Sequence, residues 1–327
     1  MTDHRKSRTL GALLGVHAGD SLGATLEFMR WSQIRKSYPK GLREIVGGGP
    51  FSWPAGHATD DTDLTRAVLL AYRDIETKEK PAEDVRTFRL TQTAAEYSLK
   101  WFLGDWPDRD QGSTPVDVGG ATRTALMNYM QSKDASKSGA GKGAAGNGSL
   151  MRCVSTGLFA RSADRRIEES MAISAFTHND VRCTVSCAAY NEMVAALVEG
   201  KTPAEAAQAG IDTAEDLECS SVAEAIREGT QTSLTDIKDE KCSGFVLHSL
   251  KVSVAALLDP LSFEDVLVGV VGTGGDTDTN GAIAGGLLGA RDGIEAIPGR
   301  WLEKLQFREE FERVAEEILE SQKTGKA

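Results

Sequence analysis

The sequence predicts an all-α domain. Apolar residues recur at helical spacing through most of the 327 residues, runs of alternating β-branched residues are almost absent, and two glycine stripes repeat every four residues. Taken in order, residues 9–28 read as a buried helix with Gly11, Gly15, Gly19 and Gly23 on one face. Glycine costs about 1 kcal/mol relative to alanine inside a helix, so a stripe of four implies the close approach of another backbone. Apolar positions at helical spacing follow from Leu64 to Tyr72, Val85 to Phe102, Ala121 to Met130 and Ile167 to Leu197, with further helices at 203–211, 220–230, 243–258, 263–271 and 300–321. A second small-faced helix follows Asp278, with Gly281, Gly285 and Gly289 at the same spacing, and the two stripes are candidates to pack on each other.

Segments 38–58, 104–119 and 131–149 read as irregular, being rich in Gly, Pro, Asp or Ser. No linker composition divides the chain, so a single domain over 1–327 is expected, with a mobile loop at 131–145 and a disordered tail at 322–327. A net charge of −11 argues against nucleic acid as the main partner, because phosphate contacts need a basic footprint. Cys153, Cys183, Cys187, Cys219 and Cys242 form no CxxC pair and are odd in number, which predicts reduced, buried thiols. Together with the lack of a signal-like start or of about 18 uninterrupted apolar residues, this predicts a cytoplasmic protein with no membrane span. A monomer is expected.

Three familiar signatures fail on inspection. Gly141-x-Gly143-x-x-Gly146 has the letters of a dinucleotide fingerprint but follows a polar Lys/Ser run in place of a strand. Gly141-Lys142 lacks the following Ser or Thr of a P-loop, and Ser136 stands where its first Gly belongs. The segment from Asp276 to Gly281 opens like an EF-hand, yet its twelfth position is Leu287, which cannot supply the bidentate carboxylate.

Two acidic clusters carry more chemistry. Thr59-Asp60-Asp61-Thr62-Asp63 and Asp276-Thr277-Asp278-Thr279 each precede a helix, where a capping Thr and first-turn acids are also the ordinary furniture of an N-terminus. Both offer adjacent carboxylate and hydroxyl oxygens, a donor set that selects Mg²⁺, Mn²⁺ or Ca²⁺ over zinc. Were the glycine-striped helices to pack together, the clusters could converge on a pair of ions.

Gly15-x-x-x-Gly19-Asp20-Ser21-Leu22-Gly23-x-x-x-Glu27, Thr59-Asp60-Asp61-Thr62, Asp117-Val118-Gly119, Gly146-Asn147-Gly148-Ser149-Leu150-Met151-Arg152, Thr177-His178 and Gly274-Gly275-Asp276-Thr277-Asp278-Thr279 occur in this order. The series resembles the ADP-ribosylglycohydrolase family. The resemblance implies an orthogonal helical bundle with a central cleft holding two Mg²⁺ or Mn²⁺ ions. It implies that Thr59, Asp60, Asp61 and Asp278 serve one ion and Asp276, Asp278 and Thr279 the other, with Asp278 bridging. Glu27, Asp61 and Asp117 become candidate catalytic residues, Glu27 gating the ions or handling a proton. Asp117, Gly119, Gly146, Asn147, Gly148, Ser149 and His178 become candidate substrate contacts, the Gly146–Ser149 loop as a phosphate cradle. The implied partner is an ADP-ribosylated protein or a small ADP-ribosyl compound. Asp117-Val118-Gly119 is similar to the motif of arginine-specific members, but Gly120 stands where that motif has Asn. Ser149-Leu150 likewise replaces the more usual alanine pair. The resemblance implies hydrolysis of the bond between ADP-ribose and an arginine guanidinium as the favoured reading, with hydrolysis of O-linked ADP-ribose or non-catalytic ADP-ribose binding as the alternatives.

Overall fold

The computed structural model describes residues 3–324. Fifteen α-helices follow one another: α1 (Asp3–Gly23), α2 (Trp31–Ser37), α3 (Asp60–Asp74), α4 (Arg86–Phe102), α5 (Gly120–Ser132), α6 (Val154–Phe159), α7 (Ala163–Ala175), α8 (Val181–Val198), α9 (Pro203–Asp216), α10 (Ser220–Thr230), α11 (Val246–Leu258), α12 (Phe263–Val271), α13 (Thr277–Asp292), α14 (Gly299–Leu302) and α15 (Arg308–Thr324). Among the described residues extended pairing is confined to isolated bridges, of which Ala140 with His178 and Gly146 with Phe245 adjoin the cleft. The all-α expectation holds.

The seam between α1 and α13 organises the molecule. A Cβ added to Gly11, Gly15, Gly19 or Gly23 would overlap the carbonyl of Gly289, Gly285, Gly281 or Thr277 respectively, so the two helices run antiparallel in backbone contact. The reason for the four-residue period is therefore steric. Because the helices are antiparallel, the C-terminal end of α1 meets the N-terminus of α13, where the Thr277 hydroxyl donates to the Gly23 carbonyl at 2.8 Å. Leu13, Leu14, Val16, Ile283, Leu287 and Leu288 are fully buried around the seam. No helix of the described residues is long and apolar enough to cross a membrane.

Three expected helices differ from those observed. The first ends at Gly23 and not at residue 28, because Phe28 turns into the left-handed region (φ 62°) and its N–H leaves the helix to donate to the Gly275 carbonyl at 2.8 Å. The span from Ile167 to Leu197 is two helices. Between them Ala140 N–H donates to the Thr177 carbonyl and Asn179 N–H to the Ala140 carbonyl, both at 2.8 Å, and Asp180 then caps α8 through Arg182 N–H. The final span breaks at 303–307, where Gln306 N–H donates to the Gly56 carbonyl at 3.0 Å and Phe307 N–H to His17 Nε2 at 3.3 Å. Residues 322–324, expected in the tail, complete α15, and 325–327 lie outside the described residues. All five cysteines are buried, and none is in a disulfide among the described residues.

Candidate active site

Three chain segments bring their acids to the end of α1. Asp20, buried on α1, accepts the backbone N–H groups of Thr59 and Thr62 at 3.1 and 3.2 Å and the Thr62 hydroxyl as well, which docks the start of α3 onto α1. Thr59 caps α3, its hydroxyl accepting from Asp61 N–H at 3.4 Å. Gly274 and Gly275 both have positive φ, 86° and 77°, and a side chain on Gly275 would stand 2.7 Å from the Cys242 carbonyl; only glycine lets Asp276 enter the cleft there. Asp117 arrives from the turn before α5. The N-termini of α3, α5 and α13 thus face one space, where their dipoles favour negative charge.

That space is a cavity of about 450 Å³. One wall carries Glu27, Asp60, Asp117, Asp276 and Asp278; among the described residues no Lys or Arg lines the cavity. Carboxylate oxygens of Glu27, Asp117 and Asp278 lie within 4.8 Å of one another, close enough to share a cation. Buried oxygens of Asp20, Glu27, Asp61 and Asp278 have no hydrogen-bond partner among the described residues. Burial, strengthened by Asp117, Asp276 and Asp20, pushes the Glu27 carboxyl up to about 9. Burial and Asp276 raise Asp117 to about 6. Asp60, Asp61 and Asp278 are pushed well above the ordinary carboxylate range, by burial first and then by neighbouring acids. Orphaned, crowded oxygen donors of this kind fit a hard divalent cation, which would supply the charge the wall lacks.

The expected ligand set is only partly exposed. Asp60, Asp276, Asp278 and Thr279 line the cavity; Thr59 and Asp61 lie behind it, with Asp61 Oδ2 accepting the hydroxyls of Thr59 at 3.2 Å and Thr279 at 3.5 Å. Asp276 Oδ2 is held by Asn147 Nδ2 at 2.7 Å. The tightest triad joins Asp278 to Glu27 and Asp117, which the sequence pointed to as catalytic acids and not as ligands. Glu27 is only 6% exposed, so it is not a solvated surface acid.

The rest of the lining, which meets the acids where Asn147 bonds Asp276, is neutral. Gly146, Asn147 and Gly148 form it together with Thr122 and His178. Asn147 N–H donates to the Gly244 carbonyl at 3.0 Å, fixing the loop to the segment before α11. A Cβ on Gly148 would stand 3.0 Å from His178 Cε1, so glycine makes room for the ring. Gly119 also lines the cavity, as the residue preceding α5. Ser149 does not: it is fully buried, and its hydroxyl accepts from Ser174 Oγ at 2.9 Å. The loop at 131–145 is tied to the same region, with Gly143 N–H donating to Asp180 Oδ2 at 2.8 Å.

Sequence reasoning missed Phe28, Thr122 and the 243–244 segment, all of which line the cavity. Phe28 is 66% exposed at a positive φ, an unusual conformation for an aromatic residue, and only its place directly after Glu27 could have pointed to it. A separate cavity of about 590 Å³ between α10 and α11 holds none of the clustered acids.

The chain matches known proteins along its whole length. A family model described as ADP-ribosylglycohydrolase matches residues 1–327. An ADP-ribosyl-[dinitrogen reductase] glycohydrolase of Rhodospirillum rubrum is 29% identical, with 93% of this chain and 92% of that protein covered. An ADP-ribosylarginine hydrolase Tri1 of Pseudomonas putida (strain GB-1) is 28% identical, with 96% of this chain and 78% of that protein covered. A solved structure described as an ADP-ribosylglycohydrolase-related protein complex superposes with a TM-score of 0.78 at 26% identity, covering 98% of this chain and 99% of that one.

Proposed function

This chain belongs to the ADP-ribosylglycohydrolase family, and on that premise we propose that it hydrolyses the bond between ADP-ribose and the guanidinium of a modified arginine, with divalent metal bound. The observation that carries this reading is a cleft with five carboxylates on one wall and no cationic side chain among its described lining residues. Such a wall suits two kinds of positive charge. One is a metal ion; the other is the planar cation of the acceptor, which a carboxylate pairs with through two parallel hydrogen bonds.

Asp60, Asp61, Asp276 and Asp278, with the hydroxyls of Thr59 and Thr279, are the groups that would hold two Mg²⁺ or Mn²⁺ ions. When bound, such ions offset the crowded negative charge and polarise the hydroxyls of the ribose. The chain's own side chains do the rest. Asp117 pairs with the guanidinium and aligns the scissile C–N bond. Glu27, whose Oε2 is buried without a partner among the described residues and whose own proton would be lost once bound cations offset the neighbouring acids, accepts a proton from the attacking water. Water oxygen bonds to the anomeric carbon, the C–N pair returns to the leaving nitrogen, and that nitrogen takes the proton from Glu27. The products are free ADP-ribose and arginine. The neutral wall of Gly146, Asn147, Gly148 and His178 receives the diphosphate, which the acidic wall would repel.

Release of ADP-ribose from arginine-, serine- and phosphate-linked substrates, each with and without chelator, tests this reading. The arginine-linked compound should be cleaved fastest and only with metal. Faster cleavage of an O-linked compound would move the assignment to that linkage, and binding of ADP-ribose without turnover of any substrate would make the chain a non-catalytic binder.

A further inference from the structure

Behind the neutral wall lies a guanidinium with no acid to meet. Arg152 is fully buried, makes no ion pair among the described residues, and stacks its Cζ 4.5 Å from the centre of the Phe176 ring. A lone buried cation is costly unless its hydrogen bonds serve something. Here two of its three nitrogens do: Nη1 donates to the Gly148 carbonyl at 2.7 Å, and Nη2 donates to the Ile173 carbonyl at 2.9 Å and to Thr177 Oγ1 at 2.7 Å, while Nε has no partner among the described residues. Thr177 Oγ1 in turn stands 2.8 Å from His178 Nδ1.

The direction of that last hydrogen bond follows from donor counting. Guanidinium can only donate, so Thr177 Oγ1 accepts from Arg152 and keeps one proton to give. Its choices are the Ser174 carbonyl, at 3.5 Å, and His178 Nδ1, at 2.8 Å. The shorter contact is the better bond, and accepting from a cation makes the hydroxyl a stronger donor. Nδ1 then accepts, and the ring proton sits on Nε2. Burial and the Arg152 charge push His178 down to about 3, so the ring is neutral with a single proton. Nε2 has no protein partner among the described residues and lies beside Gly148, 3.3 Å from where a Cβ there would stand; Thr122 Oγ1 lies 3.4 Å from the same point. That hydroxyl is buried in the wall and also unpartnered.

We propose that Arg152 and Thr177 are positioning residues that fix the proton of His178 on Nε2, so that this N–H and the Thr122 hydroxyl, either side of Gly148, form a donor pair for an anionic oxygen of the substrate's diphosphate. The identity of the anion rests on the function proposed above; the placement of the proton does not. One guanidinium thus sets the carbonyl of the cradle and the tautomer of its histidine together.

The test is nitrogen NMR of the full-length protein labelled at histidine, with the His178 signals assigned from the spectrum of His178→Asn. The expected wild-type signature is a pyridine-like Nδ1 and a pyrrole-like Nε2. Thr177→Val should mix the tautomers and raise KM for ADP-ribosyl-arginine about tenfold, the loss of one hydrogen bond to a charged group, with kcat within about threefold. Thr177→Ser, which keeps the hydroxyl, should restore both readouts. A wild-type proton on Nδ1, or a Thr177→Val protein with unaltered tautomer, overturns the proposal. If no ADP-ribosyl substrate is turned over at all, the wild-type spectrum and calorimetric titration with ADP-ribose still decide it. An Nε2 proton whose signal moves with ligand upholds it, and an Nε2 signal indifferent to saturating ADP-ribose sinks the donor pair.

Discussion

The two walls of the cleft are built on opposite principles. The acidic wall gathers carboxylates from helix ends and leaves buried oxygens of Glu27, Asp61 and Asp278 unpartnered. The neutral wall joins it through Asn147, which donates to Asp276, carries no acid among its described lining residues, and keeps Arg152 fully buried behind the surface. The first wall offers crowded oxygens that an added cation would satisfy; the second presents neutral donors, among them the Thr122 hydroxyl, which has no partner among the described residues. A substrate carrying a cationic acceptor at one end and an anionic diphosphate at the other matches that asymmetry. Selectivity would then come from which end meets which wall.

The largest expected effect lies in the acidic wall. Asp278→Ala should reduce turnover by more than the ~10²-fold typical of losing a supporting group near a metal. It should also weaken Mn²⁺ binding, measured by calorimetry, more than Asp276→Ala does. The reason is local: Asp276 Oδ2 is already held by Asn147, whereas Asp278 Oδ1 has no partner. Equal Mn²⁺ affinities in the two variants would remove the ranking of the ligands.

Asp117→Asn should slow cleavage of ADP-ribosyl-arginine by about 10²-fold, roughly 2.7 kcal/mol of transition-state stabilisation, and slow an O-linked substrate far less. A common slowing of both would place Asp117 on the ribose or the water and not on the acceptor.

Stability should report the same asymmetry. Glu27, Asp117 and Asp20 bind their protons more tightly in the folded state, with values raised to about 9, 6 and 6. The folded metal-free protein therefore holds more protons than the unfolded chain between those values and the ordinary carboxylate range. Its melting temperature should fall as pH rises from about 5 to 8. Saturating Mg²⁺ should flatten that slope and raise the melting temperature at the upper end. A metal-free melting temperature that climbs over this window would show that the carboxylates are compensated from within the protein.

In the seam that supports the acidic wall, Gly19→Leu should cost about 1–3 kcal/mol or more, since the added side chain meets the Gly281 backbone, which cannot yield as a side chain could. The neutral wall should be more tolerant. Gly148→Ala brings a methyl group to 3.0 Å of the His178 ring, a contact the ring can relieve by a small shift. A few-fold rise in KM with little change in melting temperature is expected there, and a melting loss as large as that of Gly19→Leu would show the two regions to be equally rigid.

How much of this was legible depends on what kind of fact each residue carries. The glycine period named the seam between α1 and α13 because steric exclusion leaves a mark in every fourth residue. The order of the acidic motifs pointed to the cleft, and the antiparallel packing explains why clusters more than 200 residues apart converge. Thr59 shows that both readings of such a cluster can hold: it caps α3 and also orders Asp61. Less was readable where long-range pairing overrides local spacing. Apolar periodicity ran straight through 176–179, because nothing local records that Ala140 would pair with Thr177 and Asn179. Thr122 and Phe28 carried no pattern of their own, and Ser149, inside a recognisable motif, points its hydroxyl at Ser174, away from the cleft. Motif membership located the loop but not the direction of each side chain in it.

The acidic wall predicts dependence on a divalent cation for action on an arginine-linked substrate. The most direct test of that dependence is single-turnover release of ADP-ribose from ADP-ribosyl-arginine by protein stripped with chelator, then resupplied with Mg²⁺ or Mn²⁺. The account predicts no release above background from the stripped protein and recovery of the full rate on resupply. Full-rate release by the stripped protein would contradict it.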